Sequence, residues 1–461
     1  METKVVQKQY RRTKARVSLR ELDHMSNDQA KKRAKRARAR KNEGWEDVVP
    51  AAGRWVAKEI RCALPGASLV RMNKRSAISD IYLELLTPAV LVACRKIIGK
   101  HRLVYRATKV KLEDVYKSFA LDIYMRAVRE LLPVKSVGKP LEVIFKKAKK
   151  QFCGSLSYKK WRFIRSTFRI PPDVARTKLS NNLRKHVNFG ETIALDEKMK
   201  KWRGASPCIK KVPSKPDPIG HWFTQAARQL QNTSLPYVFG LYPFTGKDPE
   251  DGESYEGRQK IWEWLVKLMS YGGVKDFPAV FSNSFYLDNS SRAMLQEKGI
   301  FYHCSVRKAW YKNIKAHLEA QVNEMGRWAA MHNKNTGETA VFTWSPDSNI
   351  GKKLLLSTLL KKRNGVQKDN DPPGWVHYQD NFRACDVFNA DMRHVFWPYR
   401  MQHFERHLDE MSHVHIVLNT LAAWREVQGG KEERIDKELM IELAKQLFKR
   451  AEDGLLPKSQ W

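Results

Sequence analysis

The sequence predicts a mixed α/β fold, with a mixed sheet flanked by helices and a helical region ahead of it. Three observations carry this prediction. Short runs rich in β-branched and aromatic residues recur after Gly190 at strand-like lengths. Longer runs with apolar residues at helical spacing lie before and between them. A hydrophobic share of 42%, with 14 Trp and 19 Phe, is enough for a large core and excludes a wholly disordered chain. For 461 residues, roughly two to four domains are expected.

Residues 1–42 hold 15 Lys and Arg against four acids and few large hydrophobes, which reads as a basic arm without its own core. From Glu46 to about Pro140 the pattern is helical. Val115, Phe119, Ile123 and Val128 recur on one face, and Leu131-Leu132-Pro133 ends the run. The helical reading continues over Leu141 to Ile170, now with Lys146, Lys147, Lys149, Lys150, Lys159, Lys160, Arg162, Arg165 and Arg169 among Phe152, Tyr158, Trp161, Phe163 and Phe168. Such a stretch either lies along a phosphate backbone or packs its aromatic face inward.

After Gly190, ETIALDEKM, DPIGHWFTQAAR, LPYVFGLYPF, FPAVFSNSFYL and GIFYHCSVR read as strands. Helices are expected at RQKIWEWLVKLMS, between the third and fourth strands, and at SRAMLQEKG, between the fourth and fifth. Beyond Arg307, KKLLLSTLL reads as a strand and NGVQKDNDPPG as a loop. Two further helices are expected, Phe382 to Val395 and Glu410 to Val427. The charged amphipathic tail KEERIDKELMIELAKQLFKRAEDG reads as an appendage or contact surface.

The charge balance sets the partner class. With 85 Lys and Arg against 49 Asp and Glu, the formal charge is +36, which calls for a polyanion. Nucleic acid is the expected partner, and an anionic membrane surface is the weaker choice. The apolar stretch Leu85 to Cys94 is broken by Thr87 and Pro88 and falls far short of the ~20 residues that span a bilayer. Lys4, Lys8, Arg11 and Arg12 interrupt any secretory apolar run, and Glu2, Glu21, Asp23 and Asp28 do not fit an acid-poor presequence. The run containing Lys31, Lys32, Arg33, Lys35, Arg36, Arg38 and Arg40 reads as a nuclear-import tag or a phosphate grip. A nuclear location is therefore expected. The six cysteines, Cys62, Cys94, Cys153, Cys208, Cys304 and Cys385, form no CxxC pair and fit a reducing compartment.

Carboxylates are the candidate chemistry. Asp196 in ALDEKM stands on an early strand and Asp386 in ACDVFNADM on a later helix, as two-metal phosphoryl chemistry requires of two of its ligands. At the end of FPAVFSNSF, where a further acid is needed, Ser282 and Asn283 stand instead, with Asp288 six residues past Ser282. His403, His407, His413 and His415 lack the Glu of a His-Glu-x-x-His zinc site and read as a polar helix face. DPEDGE lacks the ligand alternation of a calcium loop.

Ordered motifs resemble those of piggyBac-type transposases and the host proteins derived from them, over roughly residues 110–425. SLSYKKWRFIRSTFRI resembles the helical segment ahead of their catalytic core, and NLRKHVNFGETIALDEKMKKWRG their first-aspartate motif. VPSKPDPIGHWF matches Pro-x-Lys-Pro-x-x-x-Gly through Pro213, Lys215, Pro216 and Gly220. YVFGLYPFTGK, FSNSFYLDNSSRAMLQEKGIFYHCSVR, TWSPDSNIGKKLLLST and HYQDNFRACDVFNADM are similar to later motifs of the family, in the same order.

The resemblance implies a ribonuclease H-like core, a helical dimerisation and DNA-binding region, and ancestral cut-and-paste transposition with Mg²⁺ or Mn²⁺. With the basic arm and helical tail read from the residues, the expected division is an arm over 1–45, the helical region over 46–188, the first part of the core over 189–309, an insertion over 310–376, the last core helices over 377–428 and the tail over 429–461. Asp196 falls on the first metal ligand and Asp386 on the third. Ser282 replaces the second aspartate, Asn389 replaces the additional acid three residues after Asp386, and Cys304-Ser305 replaces Gly-Thr before Val306-Arg307. No cysteine follows Cys385, so the family's C-terminal zinc module is missing from this sequence. A lost carboxylate weakens the hold on two cations, and a serine hydroxyl is a poor Mg²⁺ ligand. The reading is a catalytically impaired, transposase-derived DNA-binding protein. The alternatives are an active metal-dependent transposase or nuclease using Asp196, Asp386 and Asp288, and a structural component of an RNA-protein particle.

Overall fold

The computed structural model describes residues 76–86, 110–128, 156–202, 208–212, 218–246, 258–271, 277–306, 312–325, 328–343, 353–363, 374–395, 404–429 and 437–456, with the short pieces 45–47, 54–57, 72, 145–146, 148, 150 and 206. In chain order the first elements are β1 (Trp45–Asp47), β2 (Arg54–Ala57), α1 (Ile78–Leu85), α2 (Leu112–Ala127), α3 (Tyr158–Thr167) and the helical run α4, made of Pro172–Val174, a π-turn Ala175–Leu179 and Ser180–Lys185. The sheet strands follow as β3 (Thr192–Lys201), β4 (Ile209–Lys211), β5 (Ile219–Gln229) and β6 (Pro236–Pro243), then α5 (Arg258–Met269), β7 (Ala279–Ser282), α6 (Asn289–Glu297) and β8 (Tyr302–Ser305). The remainder is α7 (Lys312–Met325), β9 (Trp328–Asn333), β10 (Thr339–Thr343), β11 (Lys353–Ser357), β12 (Leu360–Arg363), α8 (Trp375–Val395), α9 (Phe404–Gln428) and α10 (Lys437–Glu452).

The chain divides into two compact units. The smaller comprises Met1–Val56 and Arg307–Pro373. In it β1, β9, β10 and β11 form an antiparallel ladder with α7 packed on β9 and β10. The β9–β10 turn is held by the Asn333 side chain, whose Oδ1 accepts from the Asn335 and Thr336 amides. Gly337 there has φ 68°, a left-handed conformation that glycine adopts without steric cost.

The larger unit comprises Ala57–Val306 and Gly374–Trp461. Its strands run in the order β6-β5-β3-β7-β8, with β4 beside the start of β5. β3 pairs antiparallel with β5 and parallel with β7, and β7 pairs parallel with β8. Three long antiparallel strands, β3, β5 and β6, followed by two parallel ones reached through helices make the ribonuclease H-like arrangement expected above. Phe223, Phe239, Phe281, Tyr237 and Tyr286 from the sheet region, with Trp262 of α5, are among its fully buried side chains.

All five core strands form where the apolar runs stand. Three readings change. Residues 46–140, expected to be helical, contain the strands β1 and β2, too short to show a period of their own. The helix expected from Phe382 starts at Trp375, and the one expected from Glu410 starts at Phe404. The tail is no appendage: Leu439, Met440, Leu443, Ala444, Leu447 and Phe448 of α10 are buried, and the helix packs on α2 and α1. Burial on every side of α2 explains why its neighbours matter, since even Lys117, Asp122 and Arg126 are buried.

Polar groups knit these helices to the sheet. Asn419 of α9 caps the edge strand β6, accepting from the Val238 amide at 3.0 Å and donating to its carbonyl at 2.6 Å. Trp161 Nε1 of α3 donates to Asp122 at 3.2 Å. Gly220 pairs with Lys201 on one side and Lys210 on the other, and a Cβ there would overlap the Lys200 carbonyl. No helix among the described residues is long and apolar enough to cross a membrane.

Candidate functional site

The central strand β3 carries Asp196 and Glu197 at consecutive positions, 4% and 6% exposed. Consecutive strand residues point to opposite faces, yet one group touches both. That group is Asn283, the first residue past β7. Its Nδ2 donates to Asp196 Oδ1 at 2.8 Å and to Glu197 Oε2 at 2.8 Å. Its Oδ1 accepts from the Phe285 amide at 2.9 Å. Glu197 was not singled out from the sequence, although it follows Asp196 directly.

Ser282 is turned elsewhere. It pairs with Leu195 in the parallel ladder and with Cys304 on its other side. Its hydroxyl donates to Cys304 Sγ at 3.0 Å, and its carbonyl accepts from Tyr378 Oη at 3.3 Å. Burial pushes the Cys304 thiol up to about 12. Asp386 lies on the exposed side of α8. Cys385 beside it is buried, and its thiol is raised first by that burial and then by the charges of Asp196, Asp386 and Glu197. Asn389, one turn further along, accepts at its carbonyl from Lys198 Nζ at 3.1 Å.

Asp288 caps α6. Its Oδ1 accepts from the Ser291 amide at 2.9 Å, Ser291 Oγ at 2.7 Å and Ser290 Oγ at 2.8 Å, and its Oδ2 lies 3.1 Å from Arg258 Nη1. Burial alone would raise this carboxyl, but the hydrogen bonds from Ser291, Ser290 and Arg258 hold it down at about 2. It is a helix cap bound to its own helix and to Arg258.

These residues do not fit a two-metal centre. Such a centre needs several carboxylate oxygens converging on each cation. Among the described residues no group of three or more His, Cys, Asp and Glu has a metal-holding arrangement. Asn283 Nδ2 also donates to one oxygen of each of Asp196 and Glu197, and an amide nitrogen is a donor with no lone pair to offer a cation.

The basic region divides by direction. Lys146, Lys150, Lys159 and Arg162 are exposed. Lys160 instead lies 3.0 Å from Asp114, Arg165 4.0 Å from Asp122 and Arg169 3.2 Å from Asp409. The aromatic face packs inward, Trp161 being fully buried with Phe145 and Tyr158 against it. Lys147, Lys149 and the arm residues Lys31, Lys32, Arg33, Lys35, Arg36, Arg38 and Arg40 lie outside the described residues. A second cationic group was not foreseen: Lys210 Nζ stands 3.6 Å from the Trp222 ring centroid and 4.4 Å from that of Phe285. The short strand IKK holding Lys210 carries no pattern that would have marked it.

The histidines expected on a polar helix face are mostly interior. His407 Nδ1 lies 2.7 Å from His221 Nδ1, and burial pushes His407 down to about 3. His415 Nε2 lies 2.8 Å from Gln225 Nε2, and burial lowers it to about 4. His413 packs against Phe119 and Tyr82. α9 is a core helix, and two of its histidines, His407 and His415, face His221 and Gln225 of β5 rather than water. His403 and DPEDGE lie outside the described residues.

No family model matches the chain, and no curated protein matches it. Among solved structures it is similar to a cryo-EM structure of a piggyBac transposase synaptic complex with hairpin DNA. The TM-score is 0.64 at 14% identity, over 86% of this chain and 85% of that one. The chain therefore has the fold of that transposase, in agreement with the order of motifs in the sequence.

Proposed function

We propose that this chain is a transposase-derived protein that binds duplex DNA without cutting it. The observation carrying the proposal is the Asn283 carboxamide bound to both Asp196 and Glu197, where strand cleavage needs further carboxylates and cations. Support for DNA as the partner comes from the +36 charge, from the exposed Lys146, Lys150, Lys159 and Arg162, and from the structural neighbour being a complex with hairpin DNA. In this reading the protein acts in the nucleus, pairs with a second copy when it holds DNA, and needs neither Mg²⁺ nor Mn²⁺ to bind.

The test is nicking of supercoiled plasmid in Mn²⁺ by the full chain, with Asp196→Ala as background, alongside DNA affinity measured against salt. The expected result is no nicking above background and an affinity that falls steeply with salt, because each neutralised phosphate releases counterions. Nicking abolished by Asp196→Ala would instead support a metal-dependent nuclease. A preference for RNA over DNA at equal salt would support the ribonucleoprotein reading.

A further inference from the structure

We infer that His303 of β8 and His377 of α8 form a two-imidazole site for one transition-metal ion of the zinc–copper class, separate from the carboxylates of β3. The starting point is His303. Its side chain is 0% exposed, and neither Nδ1 nor Nε2 has a hydrogen-bond partner. A buried polar group without a partner is costly and rare in folded proteins, and an ion is one of the few things that account for it. Nδ1 of His377 is buried and unpartnered as well.

Packing brings the two rings together. Phe281 holds both: His303 stacks on it at 5.5 Å with an interplanar angle of 16°, and His377 meets it edge-on at 5.1 Å and 71°. The two imidazole centroids are then 6.4 Å apart. Two imidazoles that bind one ion from opposite sides, each through a bond of ~2.0 Å, span about that distance. The ligand type selects the ion, because imidazole nitrogens suit zinc and copper whereas Mg²⁺ and Mn²⁺ favour oxygen. A way in exists at the start of β3, where a cleft of about 390 Å³ is lined by His377 with Thr192, Arg228, Ser234 and Asn381. The wall carrying His377 is fixed there. Thr192 Oγ1 donates to Asn381 Oδ1 at 2.5 Å, and Asn381 Nδ2 donates to the His377 carbonyl at 2.8 Å. Through this cleft water reaches the ion and completes its coordination.

The site goes beyond the DNA reading and does not depend on it. The experiment uses the full chain, with Zn²⁺ as the probe and Mn²⁺ as the control ion. Calorimetric titration, and thermal unfolding in EDTA and in each ion, are run on wild type, His303→Phe and His377→Phe. Wild type is expected to take up a Zn²⁺ ion that neither variant binds, and to melt higher in Zn²⁺ than in EDTA, since an ion held only by the folded chain stabilises it. Mn²⁺ should do neither. No Zn²⁺ uptake by wild type would overturn the inference, as would uptake that survives in either variant or a response to Mn²⁺ equal to that to Zn²⁺. Where His303→Phe does not fold, His377→Phe decides alone, because it alters a half-buried side chain on α8.

Discussion

Arg126 of α2 and Glu410 of α9 meet at 3.5 Å with side chains only 3% and 2% exposed. The same guanidinium donates to the Val395 carbonyl at the end of α8 at 2.7 Å, and the same carboxylate lies 3.3 Å from Lys200 Nζ of β3. Three helices and the central strand are joined through one ion pair. Removing one partner from such a pair leaves a buried charge uncompensated, at a cost of about 3–5 kcal/mol. Glu410→Gln should therefore lower unfolding free energy by that order in chemical denaturation. The double variant Arg126→Met with Glu410→Met should be more stable than Glu410→Gln, because it removes both charges together.

Acid should destabilise the fold through its interior histidines. His303 is fully buried, stacks on Phe281 and is pushed down to about 3 by burial, with the neighbouring His377 adding to the shift. A folded-state value below the unfolded one means that the unfolded chain takes up the proton first. The stabilisation is full above the ordinary value of about 6.5 and is lost as pH falls from there toward 3. Between pH 7 and pH 5 that amounts to about 2 kcal/mol for this one group. His303→Phe keeps the stack and removes the proton site, so its melting temperature should vary less between pH 7 and pH 5 than that of wild type.

Salt dependence should sort the basic residues by direction. Lys159→Ala and Arg162→Ala remove exposed charges, and each should reduce the slope of log affinity against log salt by about 0.9 if it neutralises one phosphate. Lys160→Ala should leave that slope unchanged, because Lys160 is committed to Asp114. Fluorescence anisotropy on a labelled duplex at several salt concentrations measures all three.

Asp288→Ala should behave as the loss of a helix cap. The expected cost is about 0.5–2 kcal/mol in denaturant unfolding. Plasmid nicking and Mn²⁺ titration should not distinguish it from wild type. A Mn²⁺ response that depended on Asp288 would instead place it in a metal site.

How far the structure could be read in advance depended on whether a feature was local. The five core strands showed themselves because each lies in a short run rich in β-branched and aromatic residues set off by turn or helical segments, and β3, β5, β6, β7 and β8 form there. β1, β2 and β4 are three or four residues long and become strands only through their neighbours. The histidines of α9 looked like a wet face because their partners, His221 and Gln225, lie nearly two hundred residues away in sequence. In the acid site Asp196 and Asp386 could be picked out by residue type and position. Asn283 could not, since its role depends on the chain turning after β7 so that the Phe285 amide holds its carbonyl oxygen.

The docking of α10 on α2 has a consequence for how the protein is made. Lys117 meets Glu452 at 3.5 Å, and the Ser79 amide donates to Gln446 Oε1, so a helix late in the sequence covers two that come more than three hundred residues earlier. A nascent chain emerges from its N-terminus and folds unit by unit. The apolar flank of α2 therefore stays open through synthesis of the whole sheet, and is sealed only once α10 has been made. Stalled or truncated chains would present that flank as a uniform mark for chaperones.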